Sequence, residues 1–237
     1  MAAATGSRFL DELRREIAGS EWSSVRHPLV VGVSKGTVPL QQIRGWAIQD
    51  SHYRRMVHRL ATLRYLRCTD PEIQRRLAGV VAEEAEGTDT GSAGHYELFH
   101  RFAQAIGLSV EEVDSSEPMA ATAAHIYWAE LILWTLPWPV AMAAQVAGEG
   151  QAPITSRMMA DGLQAHYGLS AEQAAFFEVH TEADEDHRSL AEAIVVRYLV
   201  TDELQEQARA VVKRKLKLMY DMRSTYAAFQ PPISSTA

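Results

Sequence analysis

The chain has 237 residues and a mass of 26.3 kDa, enough for one sizeable hydrophobic core, and 47% of its residues are hydrophobic. Its formal net charge of −7 and sequence pI near 5.7 argue against a nucleic-acid partner, because that affinity depends on clustered Lys and Arg. The single cysteine excludes an internal disulfide, and charges in "MAAATGSRFLDELRREIAGS" interrupt the apolar region that a signal peptide needs.

No uncharged apolar stretch approaches the roughly 20 residues that a membrane-spanning helix requires, and "LILWTLPWPVAMAAQVAG" is interrupted by two prolines. We therefore expect a cytoplasmic protein that binds neither nucleic acid nor a membrane.

Helical periodicity dominates the chain from end to end. Apolar residues recur at three-to-four spacing in nearly every long segment, and no alternating run is typical of a strand, so the fold class is predicted to be all-α. Helix starts are predicted at Asp70 before Pro71, and at Ser109, Ser170 and Asp202, where a Glu or Gln follows at capping-box spacing.

Glycine and proline predict where the helices end. Breaks are expected in "HPLVVGVSKGTVP", "EGTDTGSAGH", "LPWPV" and "GEGQAP". These signals predict a single domain, 1–237, with about seven or eight helices and a frayed tail from 229 to 237.

The segment "EEAEG" holds a candidate metal-binding carboxylate. With Leu77 as the inward reference, Glu84 lies about 20° away, Glu83 about 120° and Glu86 about 180°, at about 100° per residue. Helical phase therefore selects Glu84 as the inward acid and predicts that Glu83 and Glu86 face solvent. Gly87 leaves this open, because unwinding of the last turn would rotate Glu86 inward.

Two further residues are weaker candidates. His95 begins the inward stripe of "GHYELFHRFAQAIGL", where a histidine that is hydrogen-bonded in the core is the commoner situation. Glu149 lies between glycines in "VAGEGQAP", and periodicity does not distinguish it from a solvated loop carboxylate.

The segment "FFEVHTEADEDH" carries the most specific pattern. His180 and His187, seven residues apart, share one helical face, and Asp184 lies about 40° from His180. The same face carries apolar residues, so the three polar side chains are predicted to be buried and to need partners. A metal cation satisfies two imidazoles and a carboxylate at once, and a hydrogen-bonded network with a tyrosine is the alternative.

Four segments in order resemble one superfamily. These are "GTVPLQQIRGWAIQDSHYRRMVHRLATL", "EEAEG…GHYELFHRFAQAIGL", "GEGQAPITSRMMADGLQAHYGL" and "FFEVHTEADEDH". Over roughly residues 25 to 200 the chain resembles the haem-oxygenase-like superfamily that includes thiaminase II (TenA) and the pyrroloquinoline quinone synthase PqqC. It is most similar to the non-haem branch of di-iron oxidases and oxygenases.

The resemblance implies a bundle of haem-oxygenase-like fold and two Fe(II) ions, with O2 as co-substrate and manganese as the other candidate metal. Carried over by motif, the ligands are Glu84, His95, Glu149, His180, Asp184 and His187. Thiaminase II needs a positioned cysteine nucleophile. The only thiol here, Cys68, precedes a predicted helix start, so thiaminase II activity is disfavoured.

The predicted function is therefore a di-iron, O2-dependent oxidase or oxygenase acting on a small amino-acid-like or fatty substrate, in a protein expected to form a homodimer. The alternatives are a PqqC-like cofactor-free oxidase and a non-catalytic metal- or ligand-binding helical protein. Tyr53 is a candidate catalytic or substrate-contacting residue, although an ordinary core aromatic is the commoner situation. Tyr127, Trp128 and Trp134 are candidate pocket residues.

Overall fold

Twelve α-helices and two short 3-10 turns form the regular structure of the chain in the computed structural model, which describes residues 2–87, 93–182 and 184–230. Side chains are described throughout these ranges except at 2–3, 180–182 and 184–188. Within them there is no strand, so the all-α prediction is confirmed.

The helices, in chain order, are α1 (Ala2–Gly19), α2 (Pro28–Ser34), α3 (Leu40–Arg67), α4 (Pro71–Glu86), α5 (His95–Ala105), α6 (Val110–Asp114), α7 (Ala120–Thr135), α8 (Trp138–Glu149), α9 (Ala152–Tyr167), α10 (Ala175–Glu182), α11 (Asp184–Tyr198) and α12 (Asp202–Ser224). The number exceeds seven or eight partly because short helices such as α2 and α6 are interposed between the long ones. The segment "HPLVVGVSKGTVP", predicted as a break, contains α2, since Pro28 stands at its first position, where no backbone donor is lost.

Local capping chemistry fixes several helix starts as predicted. Asp70 caps α4 by accepting hydrogen bonds from the backbone N–H groups of Glu72 and Ile73 at 2.8 and 3.1 Å. Ser109 and Glu112 form the predicted capping box of α6. The start at Asp202 was predicted one residue late: Thr201 is the N-cap of α12, and its hydroxyl accepts from the backbone N–H of Leu204.

Helix α8 lies at the centre of the bundle and packs against α11 and α12. Small side chains line much of its surface, which lets both neighbours approach closely. The buried residues of α8 are Val140, Ala141, Met142, Ala143, Ala144, Val146 and Ala147.

The long helix α3 runs alongside α4, α5 and α7 and also touches α12. Polar residues on its buried face, such as Asp50 and Arg64, therefore project among several helices rather than into solvent. Among the described residues no helix is both long enough and apolar enough to cross a membrane.

Candidate active site

A cavity of about 120 Å³ lies among the helices that surround α3 and α8. Its wall combines apolar side chains with an unusual number of ionisable ones, contributed by α3, α4, α5, α7, α8 and α12. The ionisable residues that line it are Asp50, Tyr53, Arg54, His58, Arg64, Glu84, His95, Tyr96, His125, Glu149, Lys215 and Arg223.

The end of α4 and the start of α5 bring carboxylates and an imidazole together. Glu84 Oε2 lies 2.8 Å from His95 Nδ1, and Glu83 Oε1 lies 3.3 Å from His95 Nε2. Gly87 ends α4 in the left-handed conformation, at φ 64°, one residue after the last turn that carries Glu84. Burial lowers the pKa of His95, but hydrogen bonding and charge from Glu84 and Glu83 outweigh it, so the pKa is raised overall.

Of the three acids in the last turn of α4, two are buried or nearly buried, whereas one was predicted to be. Glu84 lines the cavity and its side chain is 12% exposed, whereas Glu86 faces solvent. The prediction that Glu83 faces solvent is wrong, because it is 1% exposed and contacts His95. A phase angle measured from Leu77 alone takes no account of α5, which covers a second side of α4.

Glu149 is the last residue of α8 rather than part of a loop. It lines the same cavity as Glu84 and His95, and its Oε1 accepts a hydrogen bond from Gln145 Nε2 at 2.9 Å. Gln145 lies one turn earlier on the same helix, so it holds the carboxylate against the last turn of α8.

The side chains of His180, Asp184 and His187 lie outside the described residues, although the backbone places them in α10 and α11. Leu190 and Ala191 of α11 line the cavity. Positions 184 and 187 precede Ala191 by seven and four residues, so they fall on the same face of α11 as that cavity-lining residue. Among the side chains that are described, no group of three or more His, Cys, Asp or Glu is arranged to hold a metal ion.

Tyr53, His125 and Lys215 form a buried network on the same cavity. Lys215 Nζ lies 2.8 Å from His125 Nε2 and donates a hydrogen bond to the Tyr53 hydroxyl at 3.3 Å. The rings of Tyr53 and His125 stack with their centroids 4.6 Å apart.

Charge and burial fix the protonation of this network. Burial lowers the pKa of His125 well below its ordinary value, and the positive charge of Lys215 lowers it further, so the imidazole is neutral and Nε2 accepts from Lys215. Burial also lowers the pKa of Lys215. The pKa of Tyr53 is raised by burial but lowered more by nearby cations, Lys215 foremost, and lies below its ordinary value.

Sequence reasoning missed His125, Lys215 and Arg223. The signal was present for the first two: His125 lies on the buried stripe of α7 with Thr122 and Ala129, and Lys215 lies four residues after Val211 on that of α12. The aromatic residues of α7 were wrongly assigned to the pocket. Tyr127 and Trp134 are 70% and 52% exposed, because they lie on the face of α7 turned away from the core. Trp128 borders only a separate void of about 10 Å³.

Comparison with known proteins shows which protein family this chain matches. A family model described as an iron-containing redox enzyme matches residues 44–220. The 4-aminobenzoate synthase of Chlamydia muridarum is 29% identical over 195 residues, covering 79% of this chain and 77% of the relative. The pyrroloquinoline-quinone synthase of Cronobacter sakazakii is 23% identical over 204 residues, covering 84% and 78%.

Solved structures show the same fold. A domain of unknown function with a haem-oxygenase-like fold from Shewanella denitrificans superposes with a TM-score of 0.76 at 19% identity, over 92% of each chain. A TenA homologue from Pseudomonas syringae also gives 0.76, at 15% identity, over 96% of this chain and 93% of the other. The predicted haem-oxygenase-like fold is confirmed.

Proposed function

The chain belongs to the family of iron-containing redox enzymes, and on that premise we propose that it is a di-iron, O2-dependent oxidase or oxygenase acting on a small organic substrate. The proposed iron ligands are Glu84, His95, Glu149, His180, Asp184 and His187. Manganese fits the same donors.

The observation that carries the proposal is the meeting of Glu84, His95 and Glu149 at one cavity. These residues come from three different helices, yet all three line the same cavity, and all three lie within the segment that matches the family. Carboxylate oxygens and imidazole nitrogens are the donors that Fe(II) takes in helical bundles, where they project inward from several helices.

Half of the proposed ligand set thus fits the described cavity, and the rest requires α10 and α11. The face of α11 that carries Ala191 reaches the cavity, and positions 184 and 187 lie on that face. In this proposal the His-x-x-x-Asp-x-x-His segment would supply two imidazoles and a carboxylate to complete the set begun by Glu84, His95 and Glu149.

Bound iron would supply the reducing equivalents for O2, and the protein's own residues bind and orient the substrate and exclude water. Leu77, Val80 and Met142 provide apolar wall beside the polar groups. Tyr53 accepts a hydrogen bond from Lys215, which leaves its own hydroxyl proton available to a molecule in the cavity. We assign Tyr53 a substrate-contacting role on this ground.

The class of substrate is supported by the relatives. Two groups of similar proteins are a 4-aminobenzoate synthase and a pyrroloquinoline-quinone synthase, both of which make small organic molecules. A role in small-molecule biosynthesis is therefore proposed for this chain as well.

The test is anaerobic loading of the purified protein with Fe(II), followed by measurement of bound iron and of O2 uptake. We expect about two irons per chain, as a dinuclear site requires, and O2 consumption that depends on them. His187→Ala should lose at least one iron, whereas His166→Ala, an exposed histidine of α9, should bind as the parent does.

Three results would overturn the proposal. Full iron content in His187→Ala would remove the assigned site. Substrate oxidation by rigorously metal-free protein would favour the cofactor-free oxidase, and iron binding without any O2 uptake would favour a non-catalytic metal-binding protein.

A further inference from the structure

Three positively charged side chains line the cavity and form no ion pair with a carboxylate within the described part of the chain. They are Arg64, Lys215 and Arg223, and we call them the cationic group. The hydrogen-bond contacts of Lys215 within the described part of the chain are to Tyr53 and His125, neither of which is a carboxylate. The guanidinium of Arg223 donates to the Ser24 hydroxyl at 2.6 Å.

The neighbouring Arg54 shows what an ordinary buried cation looks like in the same cavity. Its Nε lies 2.7 Å from Asp50 Oδ2, so its charge is neutralised by a carboxylate that is itself 2% exposed. Among the described residues, no member of the cationic group forms such an ion pair, although Asp50 acts on Arg223 and Glu149 acts on Lys215 through their charge.

Arg64 and Lys215 are buried and Arg223 is half-buried, so their charges are costly to hold. Transfer of an unpaired charge out of water costs several kcal/mol, and proteins normally neutralise it with a partner. Burial lowers the pKa of Arg223 to about 10, which leaves the guanidinium charged at neutral pH. The charge is thus retained. The carboxylate of Asp50 acts on Arg223 but is already paired with Arg54, so positive charge is left for a ligand in the cavity to offset.

Metal binding would increase the excess of positive charge on the cavity wall. The negative charge of Glu149 acts on Lys215 and partly offsets it. In the proposed function Glu84 and Glu149 bind cations, so neither carboxylate remains to balance the cationic group.

A side chamber indicates what the remainder of the ligand is like. This chamber of about 60 Å³ shares Arg54, Arg223 and Thr155 with the main cavity. Apart from those residues its wall is mainly apolar, and the apolar side chains are Leu29, Val30, Trp46, Ala152, Met159, Phe176 and Phe177.

We propose that the cationic group is a subsite for the carboxylate of the substrate, and that the substrate is a small organic acid with an apolar body. That the bound acid is the substrate rests on the proposed function, but the binding of the acid to the cationic group needs no iron. Carboxylates pair with guanidinium and ammonium groups through charge-assisted hydrogen bonds, and an apolar body fits the side chamber.

The test compares acids with their neutral amides. Metal-free protein is titrated with two acids, hexanoate and benzoate, and with their amides, hexanamide and benzamide. The titration extends well above about 1 mM, because small ligands of this size bind weakly. The heat of binding and the Tm are recorded. We expect at least one acid to bind and to raise Tm, and neither amide to do so. This comparison uses the native chain and does not depend on the folding of a variant.

Variants then locate the site. Arg223→Gln and Lys215→Gln should each weaken acid binding about tenfold or more, because each removes a hydrogen bond to a charged group. Arg214→Gln, an exposed arginine on the same helix, is the matched control and should bind as the parent does. Circular dichroism and Tm without ligand establish that each variant is folded.

Equal binding of acids and amides, or binding of neither acid, overturns the subsite. Stabilisation by inorganic phosphate that equals that by the acids also overturns it, because the group would then be a site for inorganic anions. Acid binding by a protein that takes up no iron leaves the subsite standing and removes the proposed function. Iron-dependent O2 uptake without acid selectivity does the reverse.

Discussion

Two sets of side chains on one cavity wall contrast in charge and in the way they are satisfied. The acidic group, Glu84, His95 and Glu149, comes from α4, α5 and α8, and each member has a partner within the protein. The cationic group comes from α3 and α12, and its members form no ion pair with a carboxylate among the described residues. The difference is the basis of our two proposals, a metal site beside the acidic group and a subsite for an organic anion beside the cationic group.

The largest effect is expected from removal of acidic-group carboxylates. Glu84→Ala and Glu149→Ala should each lose at least one iron per chain and abolish O2 uptake, because each carboxylate offsets cation charge that imidazoles alone do not. Glu86→Ala, which changes an exposed acid on the same turn of α4, is the control. Iron analysis decides the matter, and retention of iron by Glu84→Ala would remove this residue from the ligand set.

A second, smaller effect separates Glu83 from Glu84. Because Glu83 is buried against His95, Glu83→Ala should lower the free energy of unfolding of the metal-free chain by about 1–3 kcal/mol, yet retain iron. Glu86→Ala should change stability by no more than about 0.5 kcal/mol. Urea unfolding measures both, and iron loss in Glu83→Ala alone would exchange the roles of the two acids.

His27, a buried histidine that is also affected by the charge of Arg223, should make the stability of the chain depend on pH. Burial and then the positive charge of Arg223 lower the pKa of His27 to about 3, from 6.5 in the unfolded chain. Between these pH values the unfolded state binds a proton that the folded state does not. The contribution of neutral His27 to the free energy of unfolding is therefore present above pH 6.5 and is lost as the pH falls toward about 3. The free energy of unfolding then changes by up to about 1.4 kcal/mol per pH unit. The pKa of His125 is also lowered by burial, so His125 contributes in the same direction.

His27→Asn tests this dependence, because asparagine retains the ability to cap α2. Its stability should fall less steeply with acid than that of the parent, in denaturant unfolding followed from pH 7 to 4. His166→Asn, at an exposed position, should follow the parent. An unchanged slope in His27→Asn would show that His27 is protonated as readily in the folded chain as in the unfolded one.

The smallest effect is expected outside both groups. Cys68 caps the C-terminus of α3, is 4% exposed, and has its pKa raised by burial, so it is a protonated thiol and not a nucleophile. Cys68→Ala should leave O2 consumption unchanged in an oxygen-electrode assay. Loss of activity in a folded variant would return a cysteine-dependent reaction to consideration.

Local signals in the sequence were sufficient for several parts of this account. Asp70 and the Ser109–Glu112 pair determine their helix starts through side-chain hydrogen bonds that span three residues. Helical phase alone also placed Glu84 on the cavity side of α4. These features depend on contacts within one helix, which is the range over which a sequence pattern acts.

Features that depend on neighbouring helices were not predictable in the same way. The burial of Glu83 requires α5 to cover it, and the pairing of Lys215 with His125 joins residues 90 positions apart. Family resemblance, not periodicity, selected Glu149. The assignments of His180, Asp184 and His187 remain predictions, because their side chains lie outside the described residues.

The central claim is that iron binds at this cavity, and a crystal structure of the Fe(II)-soaked protein with anomalous data at the iron edge tests it directly. We predict two anomalous peaks in the cavity, bounded by Glu84, His95 and Glu149 on one side and by His180, Asp184 and His187 on the other. Iron-free density at this place in crystals that take up iron elsewhere, or peaks outside the cavity, would contradict the claim.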